Sequence, residues 1–252
     1  MQSQDKVALV TGANKGIGLE TARGLSELGI AVVIASRDEA KGRAAADRLR
    51  AEGKKNVEAF RFDVTRPEDH QDIARHLENG YGKLDILVNN AGVWLEEADF
   101  SAPEGFNTTP TVTPEVLRRT FETNFFAVVS LTQALLPLIR KAPAGRIVNL
   151  SSFLGSLTNH SDPSSPTYNK KAFAYDASKT ALNAFTVHLA QALRGTPIKV
   201  NSADPGWVKT DMGGPAAPME VSEGSKTSVQ LATLPDDGPT GGYFHLGRPL
   251  PW

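Results

Sequence analysis

The chain has 252 residues, 40% of them hydrophobic and 22% charged, the usage of an ordered globular protein, which excludes disordered and fibrous classes and fits one α/β domain over residues 1–252. A net charge of −1 supplies no general field for a nucleic-acid backbone or an anionic membrane surface. With no cysteine there is no disulfide, thiolate nucleophile or cysteine-bound metal, and the five histidines, His70, His76, His160, His188 and His245, make no ligand pattern such as H-E-x-x-H, so no metal is expected.

The first apolar run, 7–10, comes within the first ten residues and then turns, leaving no room for a signal peptide; we expect a cytoplasmic protein. No later apolar run approaches the roughly 20 residues that would span a bilayer. After 7–10 comes Thr11-Gly12-Ala13-Asn14-Lys15-Gly16-Ile17-Gly18, glycine-rich and opening a helix over 18–28. Glycines between a strand and a helix let backbone N–H groups and the helix N-terminus face a pyrophosphate unobstructed. A nucleotide-triphosphate P-loop is excluded because no Gly-Lys-Ser/Thr ends the turn.

Further strands are expected at 31–35, 59–62, 86–88, 147–150 and 198–201, and helices at 39–52, 67–81, 114–140 and 175–193. The strands are apolar almost without interruption, as in a parallel sheet covered on both faces, and the β-α-β-α rhythm predicts a doubly wound, Rossmann-type sheet in a three-layer α/β/α sandwich. At the end of the second strand a dinucleotide fold places an acid for the ribose hydroxyls of NADH or a cation for the 2′-phosphate of NADPH. This chain offers Ser36 and Arg37 there; Asp38 follows one place late, pointing elsewhere on an alternating strand. With Lys15 in the glycine turn, two cations would meet the phosphate, so NADPH is preferred. Asp63, with Val64 beside it, can take the adenine amino group, and Asn90-Ala91-Gly92 ends a strand where small residues admit a cofactor.

Tyr175 and Lys179 are four apart and share one helix face, so an ammonium can act on a phenol and still reach a ligand. Tyr168 is a weaker candidate, since Ala172 stands where its lysine should be. Residues 157–171 are polar and loop-like, and the Gly213–Pro218 stretch cannot form a regular helix interior. Trp94, Phe153 and Trp207 could line an apolar pocket or pack in the core.

Together TGANKGIG, NNAG, Asn124 in TNFFAVV, Ser152 in IVNLSSFLG, YDASK and Asp204-Pro205-Gly206-Trp207-Val208-Lys209-Thr210 resemble the short-chain dehydrogenase/reductase family, in its order, over 6–211. Lys15, Arg37 and the ending from Gly241 to Trp252 are similar to those of its NADPH-dependent carbonyl reductases. The resemblance implies an enzyme reducing a ketone or aldehyde to an alcohol. Ser152 would bind the substrate oxygen, Tyr175 exchange the proton, Lys179 bind the nicotinamide ribose and lower the Tyr175 pKa, and Asn124 hold a relay water. Ser152 is preferred to Ser151 because it stands three before Gly155, as the family serine does. Pro205, Gly206, Val208 and Thr210 would cover the nicotinamide, and Gly12, Asn14, Gly16, Ile17 and Gly18 the pyrophosphate side. Phe153 to Ala174 exceed the family's usual interval between serine and tyrosine. We expect this excess to cover the helix face that relatives use for pairing, leaving a monomer, and substrate-facing insertions near 93–113, 157–174 and 212–225. A dehydrogenase running in the oxidative direction and a non-catalytic dinucleotide sensor are the alternatives.

Overall fold

Strand β1 (Val7–Thr11) is apolar and buried along its whole length, and its side chains divide between two cores. Ala8 and Val10 face one helical layer with Leu25, Ile34 and Leu49; Leu9 faces the other with Val33, Ile73, Leu77, Leu131 and Leu135. That alternation is what a sheet covered on both faces requires. The structure, a computed structural model, describes residues 6–252.

The elements follow as α1 (Gly16–Glu27), β2 (Ala31–Ser36), α2 (Glu39–Ala51), β3 (Val57–Arg61), α3 (Pro67–Tyr81) and β4 (Ile86–Asn89). Next come β5 (Phe106–Asn107), α4 (Pro114–Phe121), a π-helical turn (Glu122–Phe126), α5 (Ala127–Ile139), β6 (Arg146–Leu150), α6 (Leu157–Ser161), β7 (Lys170–Lys171) and α7 (Phe173–Ala192). The chain ends with β8 (Lys199–Ala203), α8 (Val221–Gly224), α9 (Lys226–Ala232), β9 (Tyr243–His245) and β10 (Arg248–Pro249). In the eight-stranded sheet the order is β3-β2-β1-β4-β6-β8-β9-β10, parallel except for the last pair. Val7 pairs with Ala31 on one side of β1 and Ala8 with Ile86 on the other, so the winding reverses between β1 and β4. Open α/β sheets bind ligands at that switch point, beyond the carboxyl ends of the strands.

Where local signals are strong, the sequence boundaries coincide with the structure. Helix α3 begins with Pro67 in its first turn and stops at Gly82, whose φ of 69° is left-handed. The run expected as one helix over 114–140 is continuous, but it carries the π-turn at its middle. By length and composition alone this helix could cross a membrane; its stripe of Leu131, Leu135, Leu138 and Ile139 is instead buried in the core.

Residues 157–171 are more ordered than their polarity suggested. Ser156 Oγ accepts Asn159 N–H at 3.1 Å and starts α6, and β7 pairs in parallel with β5, Phe106 beside Lys170 and Asn107 beside Lys171. This two-stranded ribbon joins the segment before α4 to the segment before α7. Strands β9 and β10, also absent from the sequence expectation, extend the main sheet beyond β8, Ser202 pairing with Tyr243.

Candidate active site

At the switch-point edge β1 runs into the glycine turn, with Gly12 and Gly16 at φ of 64° and 59°. Helix α1 starts there with no side-chain cap and no acid in its first turn, so its first N–H groups can serve an anion. A Cβ on Gly18 would lie 2.5 Å from Asn90 Nδ2 and 2.8 Å from Gly12 O, so only glycine lets α1 approach the loop after β4. Thr11 Oγ1 accepts the N–H groups of Asn90 and Ala91, both at 3.0 Å, and Asn90 Nδ2 donates to Thr11 O at 2.7 Å. These bonds lock the two turns together, with Asn14 and Ile17 half-buried between turn and helix.

The expected phosphate-binding cations sit differently. Lys15 is exposed and ion-paired with Asp211. Arg37 is exposed beside Ser36, whose buried hydroxyl donates to Asp38 O at 3.0 Å. Asp38 caps α2, accepting Lys41 N–H at 3.0 Å, and so faces its own helix. Partial burial disfavours ionisation of Asp63, but hydrogen bonds from Thr65 and the charges of Arg37 and Arg61 outweigh it and hold the carboxyl below its ordinary value. Val64 packs partly buried against the core.

Beyond β6, Ser151 is buried on the Tyr243 side, whereas the Ser152 hydroxyl faces the Tyr175 phenol. Tyr175 lies in the first turn of α7 and Lys179 one turn further, both buried. Lys179 Nζ donates to Leu150 O at 2.7 Å and stands 5.5 Å from the centre of the Tyr175 ring. Burial lowers the Lys179 pKa to about 8. Burial also raises the phenol well above its usual value; the Ser152 hydrogen bond opposes this, and Asp176 and Asp204 add to it. Lys179, expected to act on this phenol, is buried one turn along the same helix with its ammonium hydrogen-bonded to the Leu150 carbonyl.

Asn124, fully buried in the π-turn, donates through Nδ2 to Val93 O at 2.9 Å and Ser178 Oγ at 3.0 Å and accepts Val93 N–H at 2.8 Å. Both side-chain donors are therefore used within the protein. A Cβ on Gly92 would lie 3.4 Å from Asn124 Oδ1 and 3.5 Å from Lys179 Nζ, which shows how closely these three groups converge. On the opposite flank Pro205 and Gly206 lead into buried Val208, which bridges to Met219, while Thr210 Oγ1 accepts Gly213 N–H at 3.0 Å. Thr210 Cγ2 lies 3.6 Å from where a Cβ on Gly16 would be, so this segment reaches the glycine turn.

Tyr168 is exposed and lines a cleft of about 680 Å³ with Phe106, His160 and Lys171, in which Ser152, Tyr175 and Lys179 take no part. Among the aromatic residues singled out, Trp94 packs on Tyr175, ring centres 4.8 Å apart, and Trp207 on Phe100 at the same separation. Two acids were missed. Asp204 stood inside a recognised motif without a role, and Glu96 carried no local signal at all.

A switch-point sheet edge that brings together an anion-ready helix start and a serine, a tyrosine and a lysine defines a dinucleotide-dependent oxidoreductase scaffold. The chain belongs to the short-chain dehydrogenase family: the family model described as "short chain dehydrogenase" matches residues 6–220. It is 35% identical to carbonyl reductase (NADPH) 1 of Bos taurus over the full length of both chains. Among solved structures it resembles salutaridine reductase from Papaver somniferum, with a TM-score of 0.80 and 32% identity, covering 95% of this chain and 99% of that one. It also resembles an NADPH-bound carbonyl reductase from chicken fatty liver, with a TM-score of 0.81 and 29% identity, covering 98% of this chain and 99% of that one.

Proposed function

We propose that this chain is an NADPH-dependent carbonyl reductase that converts a ketone or aldehyde to an alcohol with Tyr175 as proton donor. The coenzyme fits the edge described above. The uncapped start of α1 suits its pyrophosphate, and a Cβ on Gly16 would meet only Thr210 Cγ2, at 3.6 Å, so that part of the turn stays open to it. Gly12, Asn14, Gly16, Ile17, Gly18 and Thr210 would hold the pyrophosphate, Ser36 and Arg37 with Lys15 the 2′-phosphate, and Asp63 with Val64 the adenine. Asn90, Ala91, Gly92, Pro205, Gly206 and Val208 would wall the nicotinamide, and Lys179 and Tyr175 its ribose. For Lys15, phosphate would replace Asp211 as partner, an exposed exchange of one anion for another.

When bound, the coenzyme supplies the hydride. Ser152 Oγ holds the substrate oxygen and Tyr175 Oη gives it a proton, which requires the neutral phenol that burial maintains here. The observation that carries the reading is geometric: Tyr175 and Lys179 lie one turn apart and buried on α7, with the Ser152 hydroxyl facing the phenol at the switch-point edge of the sheet. Lys179, with its pKa near neutrality, returns the proton to Tyr175. Asn124 would hold the relay water through an acceptor, since both its Nδ2 donors go to Val93 and Ser178. Residues 93–113, 157–174 and 212–225 of this single domain would shape the substrate pocket. The 157–174 segment lies on the start of α7 through His160 and Asp176, which supports a monomer, proposed to be cytoplasmic; a stable dimer in light scattering at micromolar concentration would count against a monomer.

Tyr175→Phe tests the assignment, since it removes one hydroxyl and keeps the ring. Turnover of NADPH with aryl ketones, quinones or keto esters is expected to fall by about 10²–10⁴ while NADPH affinity stays within about threefold. Full activity in this variant would remove Tyr175 from the reaction.

A further inference from the structure

A helix leaves its first N–H groups without partners of its own, and the residue at the start of α7, Ala172, has no polar side chain to cap them. The cap comes instead from residues 93–113. Phe173 N–H donates to Thr108 Oγ1 at 2.9 Å, Ala174 N–H to Glu96 Oε1 at 3.1 Å and Tyr175 N–H to Glu96 Oε2 at 2.8 Å. The Thr108 hydroxyl also donates to Glu96 Oε1. Glu96 is buried and has no ion pair among the described residues. A carboxylate in that position is costly unless it is hydrogen-bonded, and here three donors and the positive end of a 20-residue helix offset the cost.

The same short segment touches Tyr175 a second time. Trp94 lies on the Tyr175 ring with an interplanar angle of 36°, and its Nε1 donates to Glu96 O at 2.9 Å. Val93, one residue earlier, is held at both its N–H and its carbonyl by Asn124. Residues 93–96 are thus fixed at one end by the π-turn and at the other by the α7 start, and they grip the tyrosine through its ring and its backbone.

We propose that Glu96 is a positioning residue for Tyr175, setting the first turn of α7 so that the phenol is aimed at the substrate oxygen held by Ser152. Thr108 orients the Glu96 carboxylate, and Trp94 transmits its placement to the ring. The neighbouring acid adapts to this arrangement: burial, with the Glu96 charge adding, raises Asp176 to about 8, so the helix start carries one carboxylate rather than two. The inference rests on the reading of Tyr175 as proton donor.

Glu96→Gln tests it, because it keeps the shape but leaves one acceptor oxygen for two amide N–H groups. With NADPH and an aryl aldehyde that the parent protein reduces, kcat is expected to fall about 10–100-fold, the loss that small misplacements of reacting groups produce. KM and the NADPH Kd should stay within about threefold, and the solvent deuterium isotope effect on kcat should grow as proton transfer becomes limiting. Thr108→Val keeps both carboxylate–amide bonds and should show the same isotope signature with a smaller loss, serving also if the glutamine variant does not fold. A kcat unchanged in either folded variant overturns the proposal, as does a Glu96→Gln protein that loses coenzyme binding in step with kcat, since that would make Glu96 a folding residue only. Inactive Tyr175→Phe beside parent-like Glu96→Gln would sink this inference alone; active Tyr175→Phe would sink the reading beneath it.

Discussion

Asp204 Oδ1 accepts the backbone N–H of Phe153 at 2.8 Å, one residue beyond Ser152, while its Oδ2 stands 3.0 Å from His245 Nδ1. One buried carboxylate thereby ties the serine turn after β6 to strand β9 at the sheet edge. Asp204→Ala leaves the Phe153 N–H without its acceptor, and we expect a loss of about 1–3 kcal/mol in unfolding free energy together with about a tenfold fall in kcat/KM. The same pair gives a pH signature. The Asp204 hydrogen bond raises the His245 pKa against the opposing effect of burial. Its contribution to stability is therefore complete below about pH 6.5 and lost as pH rises through the folded-state value. Melting curves should show a larger fall in stability above about pH 6.5 for the parent than for Asp204→Ala.

Asp176 has the opposite linkage. Burial and then Glu96 raise its carboxyl to about 8, so between about pH 4 and pH 8 the folded chain keeps a proton that the unfolded chain has released, and stability falls as pH rises. Asp176→Asn has no charge to form in that environment. It should melt several degrees higher at pH 7, at about 2–4 °C per kcal/mol, and match the parent below pH 4. Equal melting temperatures at pH 7 would show that the carboxyl is not held protonated.

On the proposed reading, coenzyme choice would rest on Arg37, the exposed cation that follows β2. Arg37→Ala removes a charged hydrogen-bonding partner of the 2′-phosphate, for which about 1.5–3 kcal/mol is typical. The ratio of kcat/KM for NADPH over NADH should fall about 10–100-fold, chiefly through KM for NADPH. An unchanged ratio would transfer the selectivity to Lys15.

Gly18→Ala tests the meeting of α1 with the loop after β4. The added carbon would clash with Asn90 Nδ2 at 2.5 Å, Gly12 O at 2.8 Å and Ala13 Cα at 2.9 Å, and two of these are backbone atoms that cannot swing away. We expect about 1–3 kcal/mol of destabilisation. NADPH affinity, measured by fluorescence titration, should weaken more than tenfold because the turn itself must shift.

The sequence was most legible where structure is decided locally. Pro67 and Gly82 bracket α3 within a few residues of chain, and the apolar runs of β1, β2, β4 and β6 need no partner to be recognised. The π-turn at Glu122–Phe126 left no mark because it interrupts the hydrogen-bond ladder without changing the residue types around it. β9 is three residues long beside glycines, and its pairing with β8 and β10 makes it a strand. The Tyr175–Lys179 pair and the glycine turn stand out by residue type and spacing alone, whereas Glu96 is an ordinary acid until the fold brings it to a helix start about 80 positions away.

The ribbon formed by Phe106–Asn107 and Lys170–Lys171 has a consequence for redesign. Because each insertion is hydrogen-bonded to the other, neither is a separable cassette: a graft that exchanges one for the corresponding piece of a relative would leave its counterpart with an unmatched edge and disturb the end of α7 that holds Tyr175. Changes of substrate range in this scaffold should therefore be sought by moving both pieces together, as one matched pair.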